Sequence, residues 1–340
     1  MTRRRIAALV VAAALLGAAC GGDGRARDGA DAGATEPSAD DWIARTDSDA
    51  LFSVDCGFSH RASDDPIVWP GAPGRSHGHE FFGSGETDAH STGEALIGTA
   101  TSCREPGDTA AYWVPTLSVD GVPVDPGGLR AYYRAAVGVD VRDVAAPPLG
   151  LAMISGDPSG GTVGHDHGDA PETTSEVGTP VDDAPADEPG VERRDGGSGA
   201  EGHDHVAAGG VDAVDAGWGC GMRPRRVVAT PPTDCVRRSP LTLHLRFPDC
   251  WDGERLDSED HRSHVARSVD GACPATHPVL MTQVQLTVWW PVFGAAAARV
   301  ELSSGPVEGA HGDFLNGWDP DVLAHEVELC VHAKANCTVG

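Results

Sequence analysis

The sequence has few positive charges and no long hydrophobic segment. Lysine and arginine together number 25 against 51 acidic residues, so the formal net charge is −26 at pH 7. Because such a chain would repel nucleic-acid phosphates, nucleic acid is excluded as a direct partner. The apolar run near the N-terminus spans about a dozen residues, whereas a membrane-spanning helix needs about 20. A permanent transmembrane helix is therefore not predicted there.

Several common motifs are also missing. No helical pattern of about 10–15 residues separates the strand-like runs, which argues against alternating βαβ units. No two cysteines stand at CxxC spacing, so a zinc cluster or a thioredoxin-like redox motif is not predicted. The sequence contains neither a P-loop nor a ladder of metal-binding carboxylates. A metal-dependent phosphoesterase is thus the least favoured function.

The N-terminus carries an export signal. Three arginines precede the apolar run and small residues follow it, which predicts a signal peptide over residues 1–19. The stretch "GAAC" resembles the lipobox of bacterial lipoproteins, in which Cys20 would become lipid-modified, although Gly17 stands where leucine is usual. Residues 20–45 are rich in Gly, Ala and Asp and predict a flexible tether. We expect a protein on the outer face of the cytoplasmic membrane, held there by its lipid anchor; plain secretion is the alternative.

Eight cysteines remain after Cys20. An even number in an exported chain predicts up to four disulfides, but eight cysteines allow 105 pairings and the sequence does not choose among them. The eight are Cys56, Cys103, Cys220, Cys235, Cys250, Cys273, Cys330 and Cys337.

An acidic segment interrupts the remaining chain. Between Gly156 and Ala216 there are 15 acidic residues against two arginines, with no aromatic residue and no hydrophobic period. This composition predicts a disordered insertion over residues 157–216. Two copies of "GHDH" within it could capture Zn, Cu or Ni weakly, or could reflect compositional drift in an acidic linker. Their histidines are His165, His167, His203 and His205.

The rest of the chain predicts a single domain over residues 46–340, built mainly of strands. Its short runs, such as "AYWVPTLSV", "LTLHLRFP" and "VQLTVWWPVF", are rich in Val, Leu, Tyr and Trp and are bounded by Gly, Pro and Asp. We therefore predict an all-β fold, a β-sandwich or jelly-roll-like domain with long loops. One helix is expected near the C-terminus, capped by Asp319, with Pro320 at its first position and Cys330 on its apolar side.

Four polar clusters, interpreted as loops, are candidates for chemistry. They centre on "SHGHEFFG", "LDSEDHRSH", "ACPATHP" and "HGDFLNGWD". Imidazole and carboxylate groups suit general acid–base catalysis or a divalent metal such as Zn, Cu or Ca. The alternative is a structural role, in which Asp, Asn and His stabilise the turns of these loops. The candidate catalytic residues are His77, His79, His261, His264, His311 and Asp313, and His77 and His79 are also candidate metal ligands. The candidate substrate-binding residues are Trp251, Trp318 and Asn316.

A series of motifs resembles a known family. "DPIV", "SHGHEFFG", "AYWVPTL", "FPDCWDG", "DSEDHRSH" and "HGDFLNGWD" occur in the order found in the secreted family catalogued as domain of unknown function nineteen-ninety-six. The resemblance covers the folded part and implies an exported, disulfide-bonded, single-domain protein without a settled reaction. Similar fungal proteins can carry carbohydrate-binding cell-wall modules beside this domain, which points to polysaccharide.

Two functions follow as expectations. The first is a cell-surface protein that binds an extracellular polysaccharide in a His/Asp-lined cleft, or cleaves it as a hydrolase or lyase. The second is a non-enzymatic adhesive or metal-capturing surface protein that holds Zn or Cu. If the polar clusters lie close together in the structure, the first function is favoured. If they lie far apart, a structural role in the loops is favoured.

Overall fold

The computed structural model describes residues 50–136, 138–157 and 215–340, which belong to one compact unit. The signal peptide, Cys20, the tether and the four histidines of the insertion lie outside the described residues. Within the described ranges, no helix has the length and apolar character needed to cross a membrane.

The fold is mostly β-strand, as the sequence predicts. The strands are β1 (Leu51–Cys56), β2 (Phe58–Ala62), β3 (His79–Gly83), β4 (Ala111–Pro115), β5 (Leu117–Val119), β6 (Val122–Pro123), β7 (Gly128–Arg134), β8 (Ala152–Gly156), β9 (Ala216–Cys220), β10 (Leu241–Arg246), β11 (Cys250–Trp251), β12 (Val265–Ala266), β13 (Val279–Leu280), β14 (Gln283–Trp290), β15 (Val300–Leu302), β16 (His311–Leu315) and β17 (Asn336–Thr338).

Two large sheets form a β-sandwich. One has six strands in the order β17-β1-β7-β14-β10-β9, and the other has five in the order β2-β3-β4-β16-β8. Two small three-stranded sheets, β12-β11-β13 and β15-β5-β6, flank them. The predicted all-β fold is thus confirmed, and of the two alternatives it is the β-sandwich. Neither large sheet closes into a barrel.

Strand alternation gives the five-stranded sheet two different faces. On β4, Tyr112 joins the large core between the sheets, whereas Trp113 belongs to a second, smaller apolar cluster. Phe314 and Leu315 divide in the same way on β16. Because successive side chains of a strand point to opposite faces, the second cluster lies on the outer face of this sheet. That face is covered by loops and by the short helix Gly93–Leu96, and it carries the candidate site.

All eight described cysteines are paired. The disulfides join Cys56 to Cys103, Cys220 to Cys235, Cys250 to Cys273 and Cys330 to Cys337. The expected number is confirmed, and the structure supplies the pairing that the sequence left open. Each bridge ties a loop or a terminal segment to a strand or helix, which restricts the unfolded chain.

The C-terminal helix also forms where predicted. It runs over Pro320–Glu326, and the carboxylate of Asp319 accepts hydrogen bonds from the backbone N–H groups of Asp321 and Val322. The chain then continues as a wider helical turn over Val327–His332. Cys330, fully buried, bonds to Cys337 in β17, so it holds the helix to the edge of the six-stranded sheet.

Candidate functional site

Three histidines from two distant parts of the chain meet on the outer face of the five-stranded sheet. His77, His79 and His311 each present one ring nitrogen, and these three atoms lie within 4.8 Å of one another. The ring centroids of His77 and His79 are 4.2 Å apart, and those of His77 and His311 are 5.2 Å apart. In a tetrahedral zinc site with Zn–N bonds of about 2.0–2.1 Å, ligand nitrogens lie about 3.3 Å apart. Small side-chain movements would therefore bring all three onto one ion.

Strand register explains why these residues meet. β4 pairs with β3 on one side and with β16 on the other, so His79 and His311 lie two strands apart on the same face. His77 comes just before β3, where the carbonyl oxygen of Gly78 accepts hydrogen bonds from the Thr116 N–H and the Ser303 hydroxyl. Two of the four clusters interpreted as loops are therefore partly strands: His79–Gly83 and His311–Leu315 lie inside the sheet. That interpretation was wrong because glycine next to polar residues is typical of loops.

Hydrogen bonds fix the orientation of two of the rings. His79 Nδ1 donates to the carbonyl oxygen of Asp64 at 2.9 Å, and His311 Nδ1 donates to that of Gly309 at 3.0 Å. A proton on Nδ1 leaves the lone pair on Nε2, as in metal-binding histidines oriented by a carbonyl group. Nε2 of His77 and Nε2 of His79 are buried and form no hydrogen bond within the described structure. Buried polar atoms are seldom left unpaired, so these two nitrogens are candidate ligand atoms.

Burial keeps the three rings neutral. Desolvation lowers the pKa of His77 and of His311 to about 4 each. It also lowers the pKa of His79 well below the usual value, aided by the neighbouring His77. Metal ions bind the neutral imidazole, so little proton competition is expected near pH 7.

A buried carboxylate lies beside the histidines. Asp313 stands two residues after His311 on β16 and therefore points to the same face. It is almost fully buried, and its Oδ2 has no hydrogen-bond partner among the described residues. Burial raises its pKa well above the usual range, with a smaller contribution from the negative charge of Asp65.

A cleft of about 270 Å³ opens over this group. His77, His311 and Asp313 line its floor, whereas the fully buried His79 lies beneath them. Two loops form the walls, one before β3 and one between β11 and β12. They contribute Asp65, Val68, Trp69, Ser76, Asp260, His261 and Arg262, and Ile154 and Ser304 complete the lining.

Aspartates build the first wall. One carboxylate oxygen of Asp65 accepts the backbone N–H groups of Ile67 and Val68, and Asp64 accepts that of Gly74. Such bonds from Asp to the following backbone define tight turns. The Arg75 guanidinium stacks over the half-buried Trp69 ring at 4.1 Å, which fixes the ring at the mouth of the cleft.

The second wall contains two histidines: one has a ring nitrogen without a hydrogen bond to the described residues, and the other has both ring nitrogens bonded. His261 Nδ1 donates to the carboxylate of Asp257 at 2.9 Å, and this bond, partly offset by burial, raises the pKa of His261. His264 is buried, with Nε2 bonded to the Ala152 carbonyl at 2.6 Å and Nδ1 bonded to the Ser258 hydroxyl at 2.9 Å. His264 therefore attaches the loop to β8 and has no nitrogen left for a substrate.

The three candidate substrate-binding residues lie elsewhere. Trp318 is fully buried and donates from Nε1 to the Tyr133 hydroxyl at 2.9 Å, so its ring belongs to the core and offers no face to a sugar. Asn316, also buried, donates to the carbonyl oxygens of Pro147 and Pro148. Trp251 is half-buried on β11 and is not part of the cleft lining. Local sequence did not distinguish these from Trp69, because exposure depends on packing between distant segments.

Most residues of the cleft lining, Trp69 and Ser304 among them, were not among the candidate catalytic or substrate-binding residues. Trp69 stands at the cleft mouth, and the buried Ser304 hydroxyl has no hydrogen-bond partner in the described part of the chain. Ser304 belongs to the polar turn "LSSG" at the end of β15, which is not one of the four candidate clusters. A second group of potential ligands, Cys56, Cys103 and Asp108, is not a metal site as it stands, because both sulfurs are in a disulfide.

The fold and site thus define an all-β sandwich with a histidine-rich cleft on one outer face. A family model described as Domain of unknown function (DUF1996) matches residues 65–318, and the chain belongs to this family. The matched region contains all three histidines of the site and both walls of the cleft, which confirms the resemblance noted in the sequence motifs. No curated protein and no solved structure matches the chain.

Proposed function

We propose that this chain is an exported, surface-anchored protein that uses a divalent metal ion, zinc first, to hydrolyse an extracellular polysaccharide. The observation that carries the proposal is the convergence of His77, His79 and His311, with two Nε2 atoms buried and unpaired. Leaving such nitrogens unsatisfied costs stability, so a site that keeps them is best explained by a ligand.

The number of ligands favours catalysis over storage. Structural zinc sites are closed by four protein ligands, whereas catalytic zinc sites keep a position open. Three histidines would leave that position free, and two of them, His77 and His311, line a cleft. When bound there, the ion would supply Lewis-acid activation of a substrate oxygen or of water.

The chain's own residues would bind the substrate and move protons. The Asp64 and Gly309 carbonyls hold the rings of His79 and His311 in place. His261, oriented by Asp257, lines the same cleft and is the residue we assign to proton transfer with the leaving group. Asp313 is the second acid–base candidate.

A carbohydrate substrate agrees with the walls of the cleft. Trp69 is a partly exposed aromatic residue in the cleft lining, and most of the other lining residues are polar. Four disulfides fit a protein that works outside the cytoplasm, where such a polymer would be met. The same histidines would also serve the alternative, a protein that captures Zn or Cu without catalysis.

The test is hydrolysis of extracellular polysaccharides with the metal as the variable. The untagged full chain is stripped with a chelator, reloaded with zinc and incubated with a panel of cell-wall polysaccharides while new reducing ends are counted. We expect zinc-dependent release that His261→Gln lowers by about 100-fold, as is usual for a general acid or base, while metal content stays unchanged. Tight zinc binding without hydrolysis of any polymer would instead support metal capture.

A further inference from the structure

A second cavity lies on the opposite sheet of the sandwich. It measures about 530 Å³, within the range of roughly 300–1,000 Å³ typical of small-molecule sites. Asp55 on β1, Arg130 on β7 and Trp289 on β14 line it from three neighbouring strands of the six-stranded sheet. Their neighbours along each strand, such as Val54, Leu129 and Val288, lie in the core between the sheets. The cavity is therefore on the outer face, away from the histidine cleft.

The charge of this cavity is opposite to that of the chain. Three guanidinium groups and one carboxylate line it, although the chain carries a net charge of −26. Arg130 forms an ion pair with Asp55, because its guanidinium group donates to both carboxylate oxygens at 2.6 and 2.8 Å. Arg104 and Arg238 are exposed, and their guanidinium groups bond to none of the residues that the structure describes. Two positive groups are thus available to a ligand.

The cavity also has an aromatic wall. Trp289 is half-buried, and its ring packs against Gly127 and Gly128, where a Cβ atom would come within 2.2 and 2.6 Å of the ring. The two glycines therefore leave room for the indole to lie against the backbone beside the cavity. A partly exposed indole next to hydrogen-bonding groups suits a ligand with one apolar face and polar edges.

Both loops that carry the unpaired arginines are held by disulfides. Cys103, next to Arg104, bonds to Cys56 of β1, and the Ser102 hydroxyl donates to the Gly57 carbonyl at 2.7 Å. Cys235, three residues before Arg238, bonds to Cys220 at the end of β9. A site preformed in this way loses less entropy on binding than a flexible one.

We infer that this cavity binds an anionic saccharide, a sugar unit bearing a carboxylate or sulfate group, through Arg104, Arg238 and Trp289. Guanidinium groups pair with carboxylate and sulfate oxygens through strong, charge-assisted hydrogen bonds. The indole supplies the apolar contact for the face of the ring, and the carboxylate of Asp55, already bonded to Arg130, borders the cavity. This site is independent of the histidine cleft and of any hydrolysis there.

Calorimetry on the metal-free, untagged full chain tests the inference. The probes are trigalacturonate as the anionic saccharide, maltotriose as its neutral counterpart, galacturonate as the single unit and sodium sulfate as the bare anion. We expect trigalacturonate to bind more tightly than the other three probes. Arg104→Gln and Arg238→Gln should each weaken it by about tenfold, the equivalent of one charged hydrogen bond.

Matched controls separate this site from the rest of the molecule. Arg225→Gln changes an exposed arginine outside the cavity, and His79→Ala changes the other site, so both should bind trigalacturonate as the wild type does. Trp289→Leu should weaken trigalacturonate but not sulfate. The inference is overturned if trigalacturonate does not bind, if maltotriose or sulfate binds equally well, or if the two arginine variants match Arg225→Gln.

Discussion

The protein holds two groups of histidines on neighbouring surfaces, and their hydrogen bonds differ. In the loop between β11 and β12, His264 has both nitrogens bonded within the protein, whereas its neighbour His261 bonds to Asp257 through Nδ1 only and lines the cleft. At the start of β3, His77 and His79 keep Nε2 buried and unpaired. Residue type and spacing look equally suggestive in both places. The difference shows that the use of each ring nitrogen, rather than the presence of histidine, distinguishes a scaffold from a binding site.

The largest effect is expected from a substitution in the group of histidines whose Nε2 atoms are unpaired among the described residues. His79→Ala removes a ligand nitrogen from the centre of the site, and we expect zinc affinity to fall more than about 100-fold, beyond the usual cost of losing an outer-shell partner. Competition with a zinc-binding dye measures this affinity. His90→Ala is the matched control, because His90 is an exposed histidine of the same sequence cluster and lies outside the site. Equal losses in both variants would contradict the assignment.

The second prediction is that stability falls at low pH because of a buried histidine outside the cleft. His244 is buried on β10, bonded to Thr242 and Thr287, and burial lowers its pKa from the usual 6.5 to about 3. The folded state therefore stays unprotonated while the unfolded chain takes up a proton. Its stabilising contribution is complete above pH 6.5 and is lost as the pH falls toward 3, reaching a loss of about 3 kcal/mol by pH 4.

Urea unfolding of the wild type and of His244→Gln, at pH 7 and at pH 4, measures this loss. We expect the variant to lose less free energy of unfolding between the two pH values. An identical pH dependence would show that His244 does not titrate on unfolding as the structure requires.

The third prediction concerns His264, the histidine whose two ring nitrogens are both bonded within the protein. His264→Leu leaves the Ala152 carbonyl and the Ser258 hydroxyl without the imidazole, and we expect a loss of about 2 kcal/mol in the free energy of unfolding. Zinc stoichiometry should stay unchanged, which is the reverse of the outcome for His79→Ala. Denaturant unfolding together with elemental analysis distinguishes the two, and loss of zinc without loss of stability would contradict the comparison.

The smallest expected effect concerns the Asp257–His261 pair. Asp257→Asn removes the charge that raises the pKa of His261, so that pKa should move down toward its ordinary value. Because the pair is partly exposed, the change in stability should stay below about 1 kcal/mol. An NMR titration of the His261 ring measures the shift, with Asp88→Asn as a control. An unchanged titration would show that Asp257 does not hold the ring.

Sequence patterns predicted the framework better than the site. Alternation in "TLHLRF" gave β10, and Asp319 followed by Pro320 gave the start of the helix, because both signals are local. The meeting of His77 with His311 depends on strand order across more than 200 residues, which no local pattern encodes. The cysteine pairing was open for the same reason.

The wrong assignments share one physical cause. Trp318 follows a glycine and precedes an aspartate, which is typical of an exposed turn, yet its indole is buried and bonded to Tyr133. His311 and Asp313 looked like loop residues but alternate on β16, and their spacing of two would have predicted one shared face. Burial comes from the whole fold, so neighbouring residues in the sequence indicate it poorly.

X-ray absorption at the zinc edge shows directly whether His77, His79 and His311 bind one zinc ion. The sample is the zinc-loaded full chain in which His165, His167, His203 and His205 are changed to Gln, so that the acidic insertion contributes no histidine. We predict one zinc per chain with three imidazole nitrogens at about 2.0 Å, and loss of that signal when His77, His79 and His311 are changed to Ala. A zinc shell of oxygens, or fewer than three imidazoles, would contradict it.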